Sequence, residues 1–157
     1  NKVWENAKQI DGLLEAICPL GEWEYNKATS VWGTKWDIEL TDLVYTETAD
    51  GNTGFIKGGF DSAWGPPTEA FYTFLDNNPE CEAELLFYEG GNDFCGTLQS
   101  GEYVISDQGI GFFENDPEGQ KLDDVFGITD ILREHQEDLQ DEILAEHITL
   151  DNPEETI

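Results

Sequence analysis

Paired carboxylates, a lysine set among tryptophans and a periodic run of acids are the groups whose types and spacing bear on chemistry. Glu89 and Asp93 flank Gly90-Gly91-Asn92, and two carboxylates across a tight turn can serve as general acid and base. With 35 Asp and Glu in 157 residues, such pairs also arise by chance. Nucleophilic catalysis would need Cys95 beside a base, yet no histidine precedes His135. His135 and His147 are twelve residues apart, about 120° out of phase on a helix, so they make no same-face metal pair. Glu114 to Gly119 places acids at the first, third and fifth positions and glycine at the sixth, like the opening of a calcium loop. The twelfth position is Val125, where a bidentate Glu is needed, and Pro117 interrupts the run. Gly109-Ile110-Gly111 is too short for a phosphate loop. These readings weigh against an enzyme, and no cofactor or metal is expected.

Trp32-Gly33-Thr34-Lys35-Trp36-Asp37 and Phe60-Asp61-Ser62-Ala63-Trp64-Gly65-Pro66-Pro67 concentrate aromatics beside glycine turns. Trp32, Trp36 and Trp64 offer an aromatic recognition surface. The competing reading packs all three in the core under the Gly33 and Gly65 turns, and the large burial energy of aromatics favours it. Lys35 is one of only seven cations, and pairing with a neighbouring carboxylate is its expected role. Lys35 and Asp37 are read as structural. The candidate binding residues are Trp32, Lys35, Trp36, Trp64, Tyr88 and Glu89. A small-molecule pocket near Trp64, Tyr88 and Glu89 is the enzymatic alternative.

The C-terminal region carries a different pattern. Asp130, Glu134, Asp138, Glu142 and Glu146 recur every four residues, with Glu137 and Asp141 beside them. On a helix this is a carboxylate ladder rising about 6 Å per rung. Like charges at that spacing cost roughly 0.2–0.5 kcal/mol per pair, and only Arg133 relieves the row. Two readings follow: a solvated or salt-adapted face, and a phosphate mimic that enters a nucleic-acid-binding cleft of another protein.

The formal net charge is −28, of which residues 114–157 supply −13. Such a chain is repelled by nucleic acid and anionic membranes, so the expected partner is a protein with a basic surface, with the chain itself a monomer or homodimer. The longest apolar runs are too short for a transmembrane span. Three cysteines at long spacing make neither a disulfide framework nor a zinc site. A soluble protein of the host cell cytoplasm, with reduced thiols, is expected. The absence of methionine implies that the chain does not begin at its translational start.

These residues need elements to position them. Trp4, Ala7, Ile10, Leu14 and Ile17 predict a helix over residues 3–18, closed by Pro19 and Gly21. Residues 25–31 are ambiguous in pattern, with a short second helical turn as the reading offered. Alternation of Trp36, Ile38 and Leu40 predicts a strand over 35–46, a turn at Ala49-Asp50-Gly51-Asn52 and a return over 54–63, with a bulge or close approach at Gly58-Gly59. Pro66-Pro67 opens a helix with Ala70, Phe71, Phe74 and Leu75 on its buried stripe. Strands follow over 82–89 and 94–99, and Tyr103 to Ile105 extends the sheet. Asp116 caps and Pro117 starts a helical unit over 116–148, with a break at Gly127. Residues 151–157 read as a frayed end.

With Leu86-Phe87-Tyr88-Glu89-Gly90-Gly91-Asn92-Asp93-Phe94-Cys95-Gly96 as a third block, the ordered set resembles the YubB-type ferredoxin-like domain family of phage and plasmid proteins, over roughly residues 22–101. The resemblance implies a genetic context and a fold but no particular activity. The fold class expected is α+β: a ferredoxin-like split β-α-β sandwich, one antiparallel sheet with helices on one face, its first strand missing from the N-terminus. An acidic C-terminal helical extension completes it. The domains expected are 1–113 and 114–157. The function expected is that of a non-enzymatic accessory protein of a phage or mobile element acting through protein–protein binding. An acidic DNA-mimic inhibitor of a nuclease, restriction or CRISPR component or polymerase is the alternative.

Overall fold

A computed structural model of the chain describes residues 12–92, 94–99, 102–106 and 109–150, with backbone alone at 99, 102–106 and 146–150. The first part of the helix over 3–18, Asp93 and the C-terminal end lie outside the described residues, as do the side chains of Glu146 and His147.

The elements in chain order are α1 (Leu13–Ile17), α2 (Tyr25–Trp32), β1 (Thr41–Glu47), β2 (Gly54–Gly59), α3 (Thr68–Asn77), β3 (Glu84–Glu89), β4 (Phe94–Gln99), β5 (Glu102–Ser106), α4 (Ile110–Asn115), α5 (Pro117–Phe126) and α6 (Ile128–Leu150). Mixed α+β architecture is therefore observed. The described strands form two sheets, β1-β2 and β3-β4-β5, rather than the one expected. The short connections after β3 and β4 make the second sheet antiparallel, since a parallel crossover needs a dozen residues or more.

Contacts divide the chain into two units, Asn1–Leu85 with Leu98–Tyr103, and Leu86–Thr97 with Val104–Ile157. The expected boundary at 113/114 falls inside α4.

The first unit is built on Leu14, Cys18, Leu20, Ala28, Trp32, Ile38 and Ala70, with Val31, Phe60 and Phe71 packed against them. Residues 25–32 resolve as helix because both ends are capped. The Glu24 carboxylate accepts from the Asn26 and Lys27 amides at 3.1 and 3.0 Å. Gly33, at φ 83°, takes the left-handed position that ends the helix.

Strand β1 begins at Thr41, six residues later than the alternation suggested. The cause is Asp37. Its carboxylate accepts the Leu14 and Glu15 amides at the start of α1, at 2.8 and 3.0 Å. The Ile38 carbonyl accepts from the Leu13 amide. Residues 35–40 are thereby tied to a helix rather than to a strand, and Ile38 is buried in the core. The β1-β2 hairpin is mostly exposed on both faces. Its turn is held by Asp50, whose carboxyl lies below its ordinary range because the Thr48 hydroxyl and Asn52 donate to it. The expected irregularity is present. Register shifts between Thr41 and Val44, with Asp42 at φ 50°, so the extra residue sits on β1, opposite Gly58.

The second unit gathers Cys95, Phe113, Leu122 and Ile128, with Leu86, Tyr88, Phe112, Phe126 and Leu132 against them. Asp116 caps α5 by accepting from the Glu118 amide at 2.9 Å, and Pro117 occupies its first turn. Gly127 ends α5 as expected. Burial pushes the Cys18 thiol above its ordinary value, and neither it, Cys81 nor Cys95 is in a disulfide. Among the described residues no helix is long and apolar enough to cross a membrane.

Candidate functional site

Two of the sequence blocks meet in the first unit. Thr34, almost fully buried, donates its hydroxyl to the Ala63 carbonyl at 2.9 Å and accepts the Ala63 amide at 3.1 Å. This reciprocal pair staples the loop after α2 to the loop before α3. Gly33 allows the approach: a Cβ there would press on the Pro66 carbonyl and the Glu69 amide, both at 3.3 Å.

The staple sorts the three tryptophans. Trp32 is 4% exposed and donates its indole N–H to the Cys18 carbonyl at 2.8 Å, so it packs the core as expected. Trp36 and Trp64 do not. They are 49% and 74% exposed, and the core reading is corrected for both. Trp36 is directed outward because Thr34 and Ile38 take the buried positions on either side of it. Trp64 stands at φ 70°, a backbone conformation that bulky residues rarely adopt.

Among the described residues Lys35 meets aromatic rings rather than the expected carboxylate partner. Its ammonium lies 4.6 Å from the Trp36 ring centroid and 5.0 Å from that of Trp64. Trp23 stacks on Trp36 at 4.9 Å and donates its indole N–H to the Lys35 carbonyl at 3.1 Å. Tyr25 meets Trp64 edge-on at 6.2 Å. Trp23 and Tyr25 are missed by a reading confined to the three blocks. Their signal was the exposed alternation Glu22-Trp23-Glu24-Tyr25 just before α2. The outcome is a row of four exposed aromatic rings around one cation.

Asp37 is structural, as read. Asp37→Ala should cost about 1–2 kcal/mol, since it strips the start of α1 of its acceptor. Urea denaturation is the measurement, and Asp37→Asn should recover part of the loss.

Tyr88 and Glu89 belong to the second unit and Trp64 to the first. Tyr88 packs on Phe126 with ring centroids 6.0 Å apart, and Glu89 accepts from the Gly91 amide within its own turn. Both are thus engaged in building β3 and its turn. The calcium-like segment is a helix junction: Asp116 caps α5, and Glu114 pairs with Arg133 at 2.7 Å.

The ladder lies on one continuous helix. Asp130, Glu134, Glu137, Asp138, Asp141 and Glu142 are all exposed, and Arg133 reaches Asp130 at 3.5 Å. Four-residue spacing advances about 40° per rung around a helix, so the ladder winds round α6. By Asp138 and Glu142 it borders the apolar seam of Ile128, Leu132, Leu139 and Ile143. That seam is buried at Ile128 and half-buried at Leu132, while every side chain from Arg133 to Ala145 is exposed. No protein-family model, no curated protein and no solved structure matches this chain.

Proposed function

We propose that this chain is a non-enzymatic accessory protein of a phage or similar mobile element, and that α6 presents it to a protein partner with a basic, partly apolar surface. The observation that carries the reading is the seam on α6. Leu139 and Ile143 are 48% and 56% exposed, in line with residues that pack the core, and carboxylates border them. An apolar strip flanked by charge of one sign fits a partner strip flanked by the other. The resemblance of the three blocks to YubB-type proteins supports the genetic context and a ferredoxin-like ancestry for the α+β fold.

Affinity capture from host lysate with the full chain is the test, run beside Leu139→Ser/Ile143→Ser. Retention of one protein by the parent and its loss from the variant is expected. Capture that is indifferent to both changes rejects α6 as the surface. Displacement of the captured protein by duplex DNA would favour the mimic among binding functions.

A companion variant, Glu134→Gln/Asp138→Gln/Glu142→Gln, separates charge from seam. Thermal stability should rise by about 1 kcal/mol at low salt, as like-charge repulsion is removed. Partner association should slow and lose its salt dependence. A thermal midpoint that falls would show that these carboxylates make stabilising contacts.

A further inference from the structure

The aromatic row on the first unit shares no residue with α6. We propose that the gap between Trp36 and Trp64 is a clamp for an arginine side chain of a protein partner, with Lys35 as its resident occupant until that side chain displaces it. The gap already holds a cation: the Lys35 ammonium is 4.6 and 5.0 Å from the two ring centroids. Among the described residues this cation is met by ring faces, in a chain where acids outnumber bases fivefold.

The rings are built to stay exposed. Trp64 is held at φ 70° between the Thr34–Ala63 staple and the Ser62 hydroxyl, which donates to the Gly65 carbonyl at 2.9 Å. Strain of this kind persists only where the surroundings impose it, and it collects at binding sites. Trp36 is backed by Trp23, and the Trp23 indole holds the Lys35 carbonyl. The Lys35 main chain therefore stays in place while its side chain swings out.

Charge selects the ligand. Base stacking would bring phosphates towards a chain of net −28, and nucleic-acid platforms pair their aromatics with basic grooves. A cation is attracted both by the ring faces and by the field of the whole chain. Guanidinium is favoured over ammonium because its planar group stacks on an aromatic face and is more weakly hydrated.

The test uses the full chain labelled with nitrogen-15 and a capped Ala-Ala-Arg-Ala-Ala peptide, with the glutamine counterpart as control. The arginine peptide should shift the Trp36 and Trp64 indole signals saturably, and the glutamine peptide should leave them in place. Lys35→Gln should tighten binding by about two- to fivefold, the equivalent of one exposed cation–π contact no longer displaced. Trp64→Gly, which suits the left-handed backbone, should abolish the shifts at Trp36 in both backgrounds. Equal shifts from the glutamine peptide, or arginine binding that survives Trp64→Gly, would overturn the clamp, as would weaker binding in Lys35→Gln. Leu139→Ser/Ile143→Ser should leave peptide binding unchanged, so failure of the α6 reading and failure of the clamp are told apart.

Discussion

Trp32→Ala is expected to destabilise the first unit by about 3–5 kcal/mol, enough to leave much of it unfolded near physiological temperature. The side chain is 4% exposed and packs among Leu14, Cys18, Leu20 and Ala28. Truncation leaves a cavity that the short helices α1 and α2 cannot close, and it orphans the Cys18 carbonyl that the indole satisfies. Trp64→Gly is the contrast. It removes a ring that is 74% exposed and relaxes a residue at φ 70°, so stability should hold or rise slightly. Chemical denaturation of the two variants reads the difference. Equal losses from both would mean that Trp64 carries core packing that its exposure conceals.

Gly119→Ala should be the most disruptive small change in the second unit. A Cβ at Gly119 would run into the carbonyl of Phe112, a backbone group that cannot swing aside. Helices α4 and α5 would have to separate, and overpacking of this kind costs about 1–3 kcal/mol. Phe112 packs against the buried cluster of Phe113, Leu122 and Ile128, so the separation loosens the core that seats Ile128 and the start of α6. Gly111→Ala is the matched control. Nothing lies within 4 Å of its added carbon, and a helix gains roughly 0.5–1 kcal/mol when alanine replaces glycine. Thermal melts of the pair should move in opposite directions. A Gly119→Ala protein as stable as the parent would show that α4 and α5 tolerate a wider spacing.

If Gly119→Ala unseats the start of α6, partner capture should weaken together with stability. Changes confined to Leu139 and Ile143 should weaken capture alone. That pattern separates a binding surface from the scaffold beneath it, since both residues lie in the stretch whose side chains are all exposed.

Local chemistry made much of this chain legible from sequence. Asp116 and Pro117 mark a helix start, Gly127 a helix end and Ala49 to Asn52 a turn, because caps and turns are satisfied by residues only a few positions apart. The strands Glu84–Glu89 and Phe94–Gln99 and the helix Thr68–Asn77 follow from periodicity in the same way. The ladder was also readable, since helical spacing alone sets which acids are neighbours.

Only the tertiary structure decided the fate of residues 33–38 and of the tryptophans. The alternation of Trp36, Ile38 and Leu40 is that of a strand, but the Asp37 carboxylate accepts from amides 22 and 23 residues away. Thr34 likewise reaches Ala63 across 29 residues. Such partners leave no periodic trace in sequence. Burial energy favours an interior place for any tryptophan, yet a residue goes inside only where its backbone points inward. Trp32 follows a capped helix into the core. Trp36 sits on a loop whose inward positions are taken by Thr34 and Ile38, and Trp64 on one whose buried position is taken by Pro67. The same long-range hydrogen bonds that closed the core set Lys35 between two exposed rings.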